Sequence, residues 1–265
     1  MGTHVYNSLL LLLLFPGLVY AQEGSNPPME GFNADDSHPQ AMEIADQVMT
    51  SMGGRAAWDD ARYLSWTIFG EDHVWDKWTG RFRWQGDSTV VLMNIHTMEG
   101  RAFKDGDEIT PADELLAGAY RDWINAGYWL LMPYKLKDSG VTLGYKGEVT
   151  MANGHEAHVL TLRFDGVGLT PDNGYDVYVN KDLNLVEQWS YYADANADEQ
   201  PRFTTTWEGY ESYGGIMLAD TRAVVNNESS VRKLSNLGVY SELPDSVFED
   251  PNRISLASLT ETGAY

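Results

Sequence analysis

Two histidines come closest to a metal-binding pattern, in the run His155-Glu156-Ala157-His158. A zinc protease motif places its histidines four positions apart on a helix, so that both rings reach one metal ion. Here the spacing is three, directly after a hairpin signal, and on a strand that spacing turns the two rings to opposite faces of the sheet. The pattern therefore predicts no metal site.

Oxygen-bearing side chains form a second candidate in the glycine-rich run DGVGLTPDNGYD, which holds Asp165, Asp172, Asn173 and Asp176. Carboxylate and amide oxygens are the ligands that calcium prefers. The spacing of an EF-hand is missing, however, and Asp, Asn and Gly are also the usual residues of turns. We expect an ordinary turn here, with calcium binding as the open alternative.

Motifs of nucleophilic or cofactor chemistry are missing from the sequence, which has no G-x-S-x-G elbow, no P-loop and no dinucleotide fingerprint. We therefore assign no catalytic residue and expect no cofactor. Lys135, Lys137 and Asp138 lie beside a strongly apolar segment and could serve an enzyme such as a hydrolase. The alternative is that these charges simply terminate that segment at the surface.

Aromatic residues are the remaining chemical signal, with 9 Trp, 15 Tyr and 8 Phe. They recur along the predicted strands, where they could form a core or line an apolar cavity sized for an acyl chain. The residues predicted to line such a cavity are Trp66, Trp84, Leu116, Tyr120, Trp123, Trp129, Leu130, Met132 and Trp189.

The segment that would position these residues is a helical insert at residues 111–136. Thr110 is placed to act as N-cap, Pro111 fits the first helical position, and Asp113 follows in the first turn. Gly127 is expected to interrupt the helix, and Pro133 to close it. The signature Met132-Pro133-Tyr134-Lys135 has no assigned role.

Strand-like patterns fill most of the remaining chain. A helix is predicted at Pro39–Met52, a short connector at Trp58-Asp59, and about eleven strands between Tyr63 and Tyr240. Asp105-Gly106, Asn153-Gly154 and a turn at Asp182 mark hairpins. The expected fold is α+β, mainly β: one strongly curved antiparallel sheet, a half-barrel, with helices covering its concave face.

The N-terminus and the composition restrict location and partners. The apolar run Leu9–Leu14 and the small residues near Ala21 predict a signal peptide, so the mature chain would begin near Gln22, without a transmembrane segment. A net charge of −21 disfavours nucleic acid. Because the sequence has no cysteine, it excludes disulfides, thiol catalysis, cysteine-based zinc or iron–sulfur sites and a lipid anchor on an N-terminal cysteine. We expect a soluble exported protein, periplasmic or extracellular.

These patterns predict that the chain is divided into four parts. Residues 1–21 form the signal peptide, 22–37 a flexible polar leader, 38–250 a single folded domain and 251–265 a polar C-terminal tail.

Three segments, YWLLMPYKLKDSGVTL, VGLTPDNGYDVYV and LVEQW, resemble an uncharacterised family of exported bacterial proteins related to the outer-membrane lipoprotein-sorting proteins. The resemblance covers about Ala41 to Pro251. It implies the LolA-like and LolB-like half-barrel, with helices in the concave face. The true carriers of this superfamily bind lipoprotein acyl chains, but no motif here matches their ligand contacts residue by residue.

The leading hypothesis is an exported binding protein that carries a lipid, another hydrophobic small molecule or an acylated protein. An envelope protein is a candidate partner. The alternatives are an enzyme on the same scaffold and a structural or interaction protein whose interior is a filled core.

Overall fold

The computed structural model describes residues 26–166 and 168–259. The predicted signal peptide, the first residues of the leader (22–25) and the end of the tail (260–265) lie outside the described residues. Within the described ranges, no helix is both long and apolar enough to cross a membrane.

The described strands form two antiparallel sheets, as the mainly β prediction requires. Sheet 1 has the strand order β15-β1-β2-β3-β4-β5-β6. Its strands are β1 Tyr63–Ile68, β2 Glu71–Asp76, β3 Arg81–Gly86, β4 Thr89–Asn94, β5 Gly100–Lys104, β6 Asp107–Ile109 and β15 Ser235–Tyr240.

Sheet 2 has the order β12-β13-β11-β10-β9-β8-β7, with β14 also paired to β13. Its strands are β7 Val141–Thr150, β8 Glu156–Phe164, β9 Gly174–Asn180, β10 Val186–Tyr192, β11 Phe203–Thr206, β12 Glu208–Tyr213, β13 Ile216–Val224 and β14 Asn227–Lys233.

The expectation of a single, strongly curved half-barrel sheet is wrong, because the strands form two open sheets. The chain leaves sheet 1 after β6 and enters sheet 2 at β7, and the helical insert lies between these strands in the sequence. The last strand then returns to pair with the first: Tyr63 lies opposite Tyr240, and the Ser65 and Tyr240 hydroxyl oxygens are 3.1 Å apart. This long-range pairing ends the path of sheet 1 at β15.

The three predicted hairpins are confirmed. Asp105 and Gly106 both have positive φ and join β5 to β6, as a tight turn requires. Asn153 and Gly154 lie in the loop between the paired strands β7 and β8. At the β9–β10 turn, the Asn180 side chain accepts a hydrogen bond from the backbone N–H of Asp182 at 2.8 Å.

Two helices precede β1. Helix α1, Pro39–Ser51, matches the predicted helix, and its apolar stripe is buried. That stripe consists of Ala41, Ile44, Ala45, Val48 and Met49. Helix α2, Gly54–Asp60, includes Trp58 and Asp59, so the prediction of a connector there is wrong. A seven-residue helix is too short for an apolar period to distinguish it from a turn.

Helix α3, Asp113–Leu131, is the predicted insert, but its details differ from the expectation. Its N-cap is Ala112, not Thr110, so the helix begins at Asp113. The helix also runs through Gly127 without a break. Tertiary packing offsets the low helix propensity of glycine here, since the neighbouring Ala126 and the following Leu130 are buried.

The Met132-Pro133-Tyr134-Lys135 signature forms a 3₁₀ helix directly after α3. The Tyr134 ring stacks on Trp58 at 4.4 Å between centroids. Its hydroxyl lies 2.7 Å from the Met52 carbonyl oxygen and accepts a hydrogen bond from the Met217 N–H at 3.0 Å. The signature therefore joins the end of α1, helix α2 and strand β13.

The two ends of the described chain are both hydrogen-bonded to the folded domain. In the leader, the Met29 N–H donates to the Lys137 carbonyl at 3.0 Å, and the Ser37 hydroxyl accepts from the Leu143 N–H at 3.0 Å. After β15, the buried Arg83 donates to the Val247 and Asp250 carbonyls, both at 3.0 Å, and so holds the C-terminal segment on sheet 1.

Candidate ligand-binding cavity

Beside the second half of α3 lies a cavity of about 580 Å³. Its walls come from both sheets: Trp75 belongs to β2 of sheet 1, whereas Val141 and Tyr175 belong to β7 and β9 of sheet 2. The segment after the 3₁₀ helix and the loop containing Gly168–Asn173 complete the wall. The cavity therefore lies where α3 bridges the two sheets.

On the sheet 1 side, the wall is formed by three aromatic residues. Trp75 meets Trp123 of α3 edge to face at 5.4 Å between centroids. Trp123 stacks in turn on Tyr120, one helical turn earlier, at 5.7 Å. Residues three apart on a helix share a face, so the α3 sequence places Tyr120 and Trp123 side by side.

On the sheet 2 side, the wall is formed by Tyr128 of α3 with Phe164, Tyr175 and Tyr191. Tyr175 and Tyr191 are directly opposite residues of β9 and β10, and their rings lie 5.6 Å apart. Tyr128 stacks on Tyr175 at 5.3 Å and meets Phe164 edge to face at 6.1 Å. All four residues are only half-buried, as expected for rings that border open space.

Polar side chains occur at a minority of the lining positions. Lys135 and Asp138 form an ion pair with 2.5 Å between Nζ and Oδ2, and both line the cavity. The Tyr191 hydroxyl donates to the Asn173 side-chain oxygen at 3.2 Å. The other polar lining residues are Arg121, Asn125, Ser139 and Thr170.

Two tyrosines of the wall have pKa values well above the ordinary range of a phenol. Burial is the main cause for Tyr128, followed by the nearby Tyr175 and Asp138. Burial is also the main cause for Tyr175, with Tyr191 adding to it. Both phenols therefore stay neutral at physiological pH, and they present no charge to a ligand.

Arg222 of β13 holds the end of α3 against sheet 2. One guanidinium nitrogen donates to the Trp129 carbonyl at 2.7 Å, near the C-terminus of the helix. The guanidinium carbon lies 3.4 Å from the centroid of the Trp207 ring. Burial lowers the pKa of Arg222 to about 9. The cation thus interacts with the negative end of the helix dipole and with an aromatic face.

The structure places the nine predicted cavity residues in two groups. Tyr120 and Trp123 line the cavity. The other seven lie in the main hydrophobic core or against it: Trp66, Trp84, Leu116, Trp129, Leu130, Met132 and Trp189. Trp189 is still close to the cavity, because its ring stacks on Tyr175 at 4.8 Å. Whether any of the nine touches a ligand stays a prediction.

Sequence reasoning did not find most of the cavity wall. Trp75, Phe164, Tyr175 and Tyr191 lie on strands of two different sheets, which come together beside α3 only in the folded chain. Tyr128 of α3 also lines the cavity and is not among the nine predicted residues. The alternation of Tyr175 and Val177 with polar neighbours on β9 was the one available signal.

The fold places the three residues considered for catalysis at two different sites. Lys135 and Asp138 line the cavity, but Lys137 forms an ion pair with Asp46 at 2.5 Å and donates to the Asn26 carbonyl at 2.7 Å. Lys137 instead borders a separate cavity of about 20 Å³, which has room for about one water molecule.

The metal candidates also have other partners. His155 contacts Glu187 at 2.8 Å, whereas His158 contacts the Tyr145 hydroxyl at 3.0 Å. Asp176 accepts from Lys146 at 2.7 Å and from the Tyr192 hydroxyl at 2.9 Å. Across residues 26–166 and 168–259, no group of three or more His, Asp or Glu side chains is arranged to hold a metal ion.

Comparisons with known proteins do not assign the chain to a family. No family model matches it, and no curated protein matches its sequence. A DUF1329 family protein from Desulfovibrio piger is similar in structure, with 12% identity and a TM-score of 0.41, covering 78% of this chain and 96% of that chain.

Two further solved structures are similar to a lesser degree. An uncharacterized conserved protein from Thermus thermophilus shares 12% identity with a TM-score of 0.25, covering 82% of this chain and 94% of that one. In the Pseudomonas aeruginosa MucA/MucB complex, the matched chain shares 14% identity with a TM-score of 0.22, covering 59% of this chain and 53% of that one. Because all three TM-scores are low, no functional argument rests on them.

Proposed function

We propose that the protein is an exported carrier that binds a hydrophobic ligand, a lipid or the acyl chain of a modified protein, in the cavity beside α3. The single observation that carries the proposal is the cavity of about 580 Å³ with half-buried aromatic rings on both walls. This volume lies within the range of about 300–1,000 Å³ that is typical of small-molecule sites.

The free energy for binding would come from covering these rings. Burial of apolar surface contributes about 25 cal/mol per Å², and the wall rings are incompletely buried by the protein itself. The polar groups at the cavity would orient the ligand. Lys135 and Asp138 already neutralise each other, and the net charge of −21 repels polyanionic head groups. A neutral or singly charged amphiphile therefore fits best.

Export is supported by the sequence pattern of the first 21 residues, and the resemblance to lipoprotein-sorting proteins supports a place in the bacterial envelope. An envelope partner protein would then receive or deliver the ligand. The measurement for this part is N-terminal sequencing of mature protein, which we expect to begin at or near Gln22. A mature chain that still begins at Met1 contradicts export.

The test of ligand binding is native mass spectrometry of protein purified from its host, before and after extraction with organic solvent. We expect an added mass that the solvent removes, and a lipid-like molecule in the extract. The stripped protein should then take up a fluorescent fatty acid. If the protein carries no added mass and also takes up no fluorescent fatty acid, the carrier proposal is wrong.

A further inference from the structure

Gly127 is an unusual residue for its position. It lies inside α3, where glycine is the least favourable residue except proline. It is buried, yet a methyl group added to its Cα would meet no atom within 4 Å, apart from its own neighbours in the helix. A buried position with room for a side chain is explained only by an adjacent void, and Gly127 does line the cavity.

Other buried glycines have a steric reason that Gly127 lacks. A methyl group at Gly174 would collide with the Ala195 side chain, and one at Gly238 with the Tyr240 hydroxyl. Gly127 has no such neighbour, and its backbone is helical, so positive φ does not explain it either. Neither packing nor backbone geometry requires glycine at this position.

The helix face around Gly127 shows what the missing side chain creates. Tyr120, Ile124, Gly127 and Leu131 follow the spacing of one helical face, and all four line the cavity. Gly127 is thus a notch between the larger side chains of Ile124 and Leu131. Through this notch a ligand can approach the helix backbone.

We propose that Gly127 is the size-selecting residue of the cavity, and that the apolar chain of an amphipathic ligand crosses α3 in the notch between Ile124 and Leu131. This inference rests on the proposed function and specifies its ligand class: a molecule with an extended hydrocarbon chain. A narrow notch between two branched side chains suits a linear chain better than a bulky fused ring system.

The experiment measures the affinity of straight-chain fatty acids of increasing length for the stripped full-length protein, by displacement of a fluorescent fatty acid. The variants are Gly127→Ala and Gly127→Leu. The matched controls are Gly118→Ala and Gly118→Leu on the same helix, outside the cavity lining, where an added methyl group would make only an ordinary contact, at 3.7 Å to Arg121. Thermal unfolding of each variant is recorded in parallel.

We expect affinity in the parent protein to rise about fourfold for each additional buried methylene, up to a limiting length. Gly127→Leu fills the notch, so the limiting length should shorten by about four methylenes, the size of a leucine side chain. Short ligands should bind as before. The unfolding temperature should rise in both Gly127 variants, because each removes a helix-interior glycine. The Gly118 controls should keep the parent's length profile.

Two results overturn the inference. One is a Gly127→Leu protein that is folded and has the parent's length profile. The other is an equal loss of affinity for all lengths, which indicates general disruption. Both differ from failure of the carrier proposal, in which the parent protein binds no member of the series.

Discussion

The aromatic cluster of sheet 1 and the sheet 2 wall of the cavity have rings at similar separations. The rings of the cluster are fully buried, however, whereas those of the wall border an open cavity. In sheet 1, His73 lies between Trp66 at 4.9 Å and Phe82 at 5.9 Å, and all three residues are at most 1% exposed. Along the cavity, Tyr128 and Tyr175 stack at 5.3 Å but remain half-buried. Ring content and ring spacing therefore do not distinguish a core from a cavity.

The sheet 1 cluster also encloses polar atoms that have no hydrogen-bond partner in the described part of the chain. Both ring nitrogens of His73 are buried without a hydrogen-bond partner in the described part of the chain, and the nearest Glu71 oxygen is 4.0 Å from Nε2. A buried polar group without a partner lowers stability. Sheet 1 thus tolerates this destabilising feature inside a closed core, whereas the cavity leaves its aromatic surface available to a ligand.

The largest effect should come from truncating the closed cluster. We expect Trp66→Ala to lower the free energy of unfolding by about 3–5 kcal/mol, because the packed surroundings cannot fill the space that is left. Urea denaturation measures this value. Tyr191→Ala, on the cavity wall, is the comparison and should cost clearly less. Equal losses at the two positions would mean that the wall is as closed as the core.

The next effect is a pH dependence that originates at His73. Burial lowers its pKa to about 3, whereas histidine in the unfolded chain titrates near 6.5. Between these values only the unfolded chain binds the proton, so stability is full above pH 6.5 and falls as the pH is lowered towards 3. The slope is about 1.4 kcal/mol per pH unit, so the loss between pH 6.5 and pH 4 is about 3 kcal/mol.

His73→Phe is the control for this prediction, since it keeps a ring between Trp66 and Phe82 but cannot titrate. Urea denaturation at several pH values between 4 and 7 should show a smaller pH dependence for the variant than for the parent. Using the difference between the two proteins cancels the contribution of most other titrating groups. Parallel pH profiles for the two would contradict the prediction.

A smaller effect on stability, but a clear effect on binding, is expected for Trp123→Ala. The ring borders the cavity and is only half-buried, so its removal should cost less than half the stability that Trp66→Ala costs. Affinity for a fluorescent fatty acid should fall at least about tenfold, equivalent to about 1.4 kcal/mol. Unchanged affinity in a stably folded variant would remove Trp123 from the binding surface.

The smallest effect is a gain. Gly127→Ala should raise the free energy of unfolding by about 1 kcal/mol, the difference in helix propensity between the two residues. Gly118→Ala should give a similar gain if propensity alone operates. Chemical denaturation of both variants distinguishes a pure propensity effect from a steric one. A loss of stability at position 127 alone would show that the added methyl group has no room.

Local signals predicted the parts of the fold that local chemistry controls. The Asp105-Gly106 and Asn153-Gly154 hairpins and helix α1 follow from turn residues and apolar spacing, and they were found correctly. The division into two sheets was not, because it depends on β6 and β7, which flank α3 in the sequence, remaining unpaired with each other. No local pattern encodes that choice.

The cavity was predicted in part for the same reason. Tyr120 and Trp123 lie on one helix, so their spacing placed them together. Tyr175 and Tyr191 meet only through the register of β9 and β10. Gly127 was expected to break the helix, because low propensity usually does so. Gly127 in fact lies in a continuous helix beside an empty space. That environment depends on tertiary packing, about which helix propensity carries no information.

The pairing of β15 with β1 also sets the order of events when the chain is made. Sheet 2 uses one continuous stretch, from Val141 to Lys233, but β1 must wait for Ser235–Tyr240 to emerge before its second edge is paired. Until then an apolar strand edge is open to other chains, which is an aggregation hazard. Sheet 1 is therefore completed only after its last strand has been made, and until that point the first strand is an exposed sheet edge.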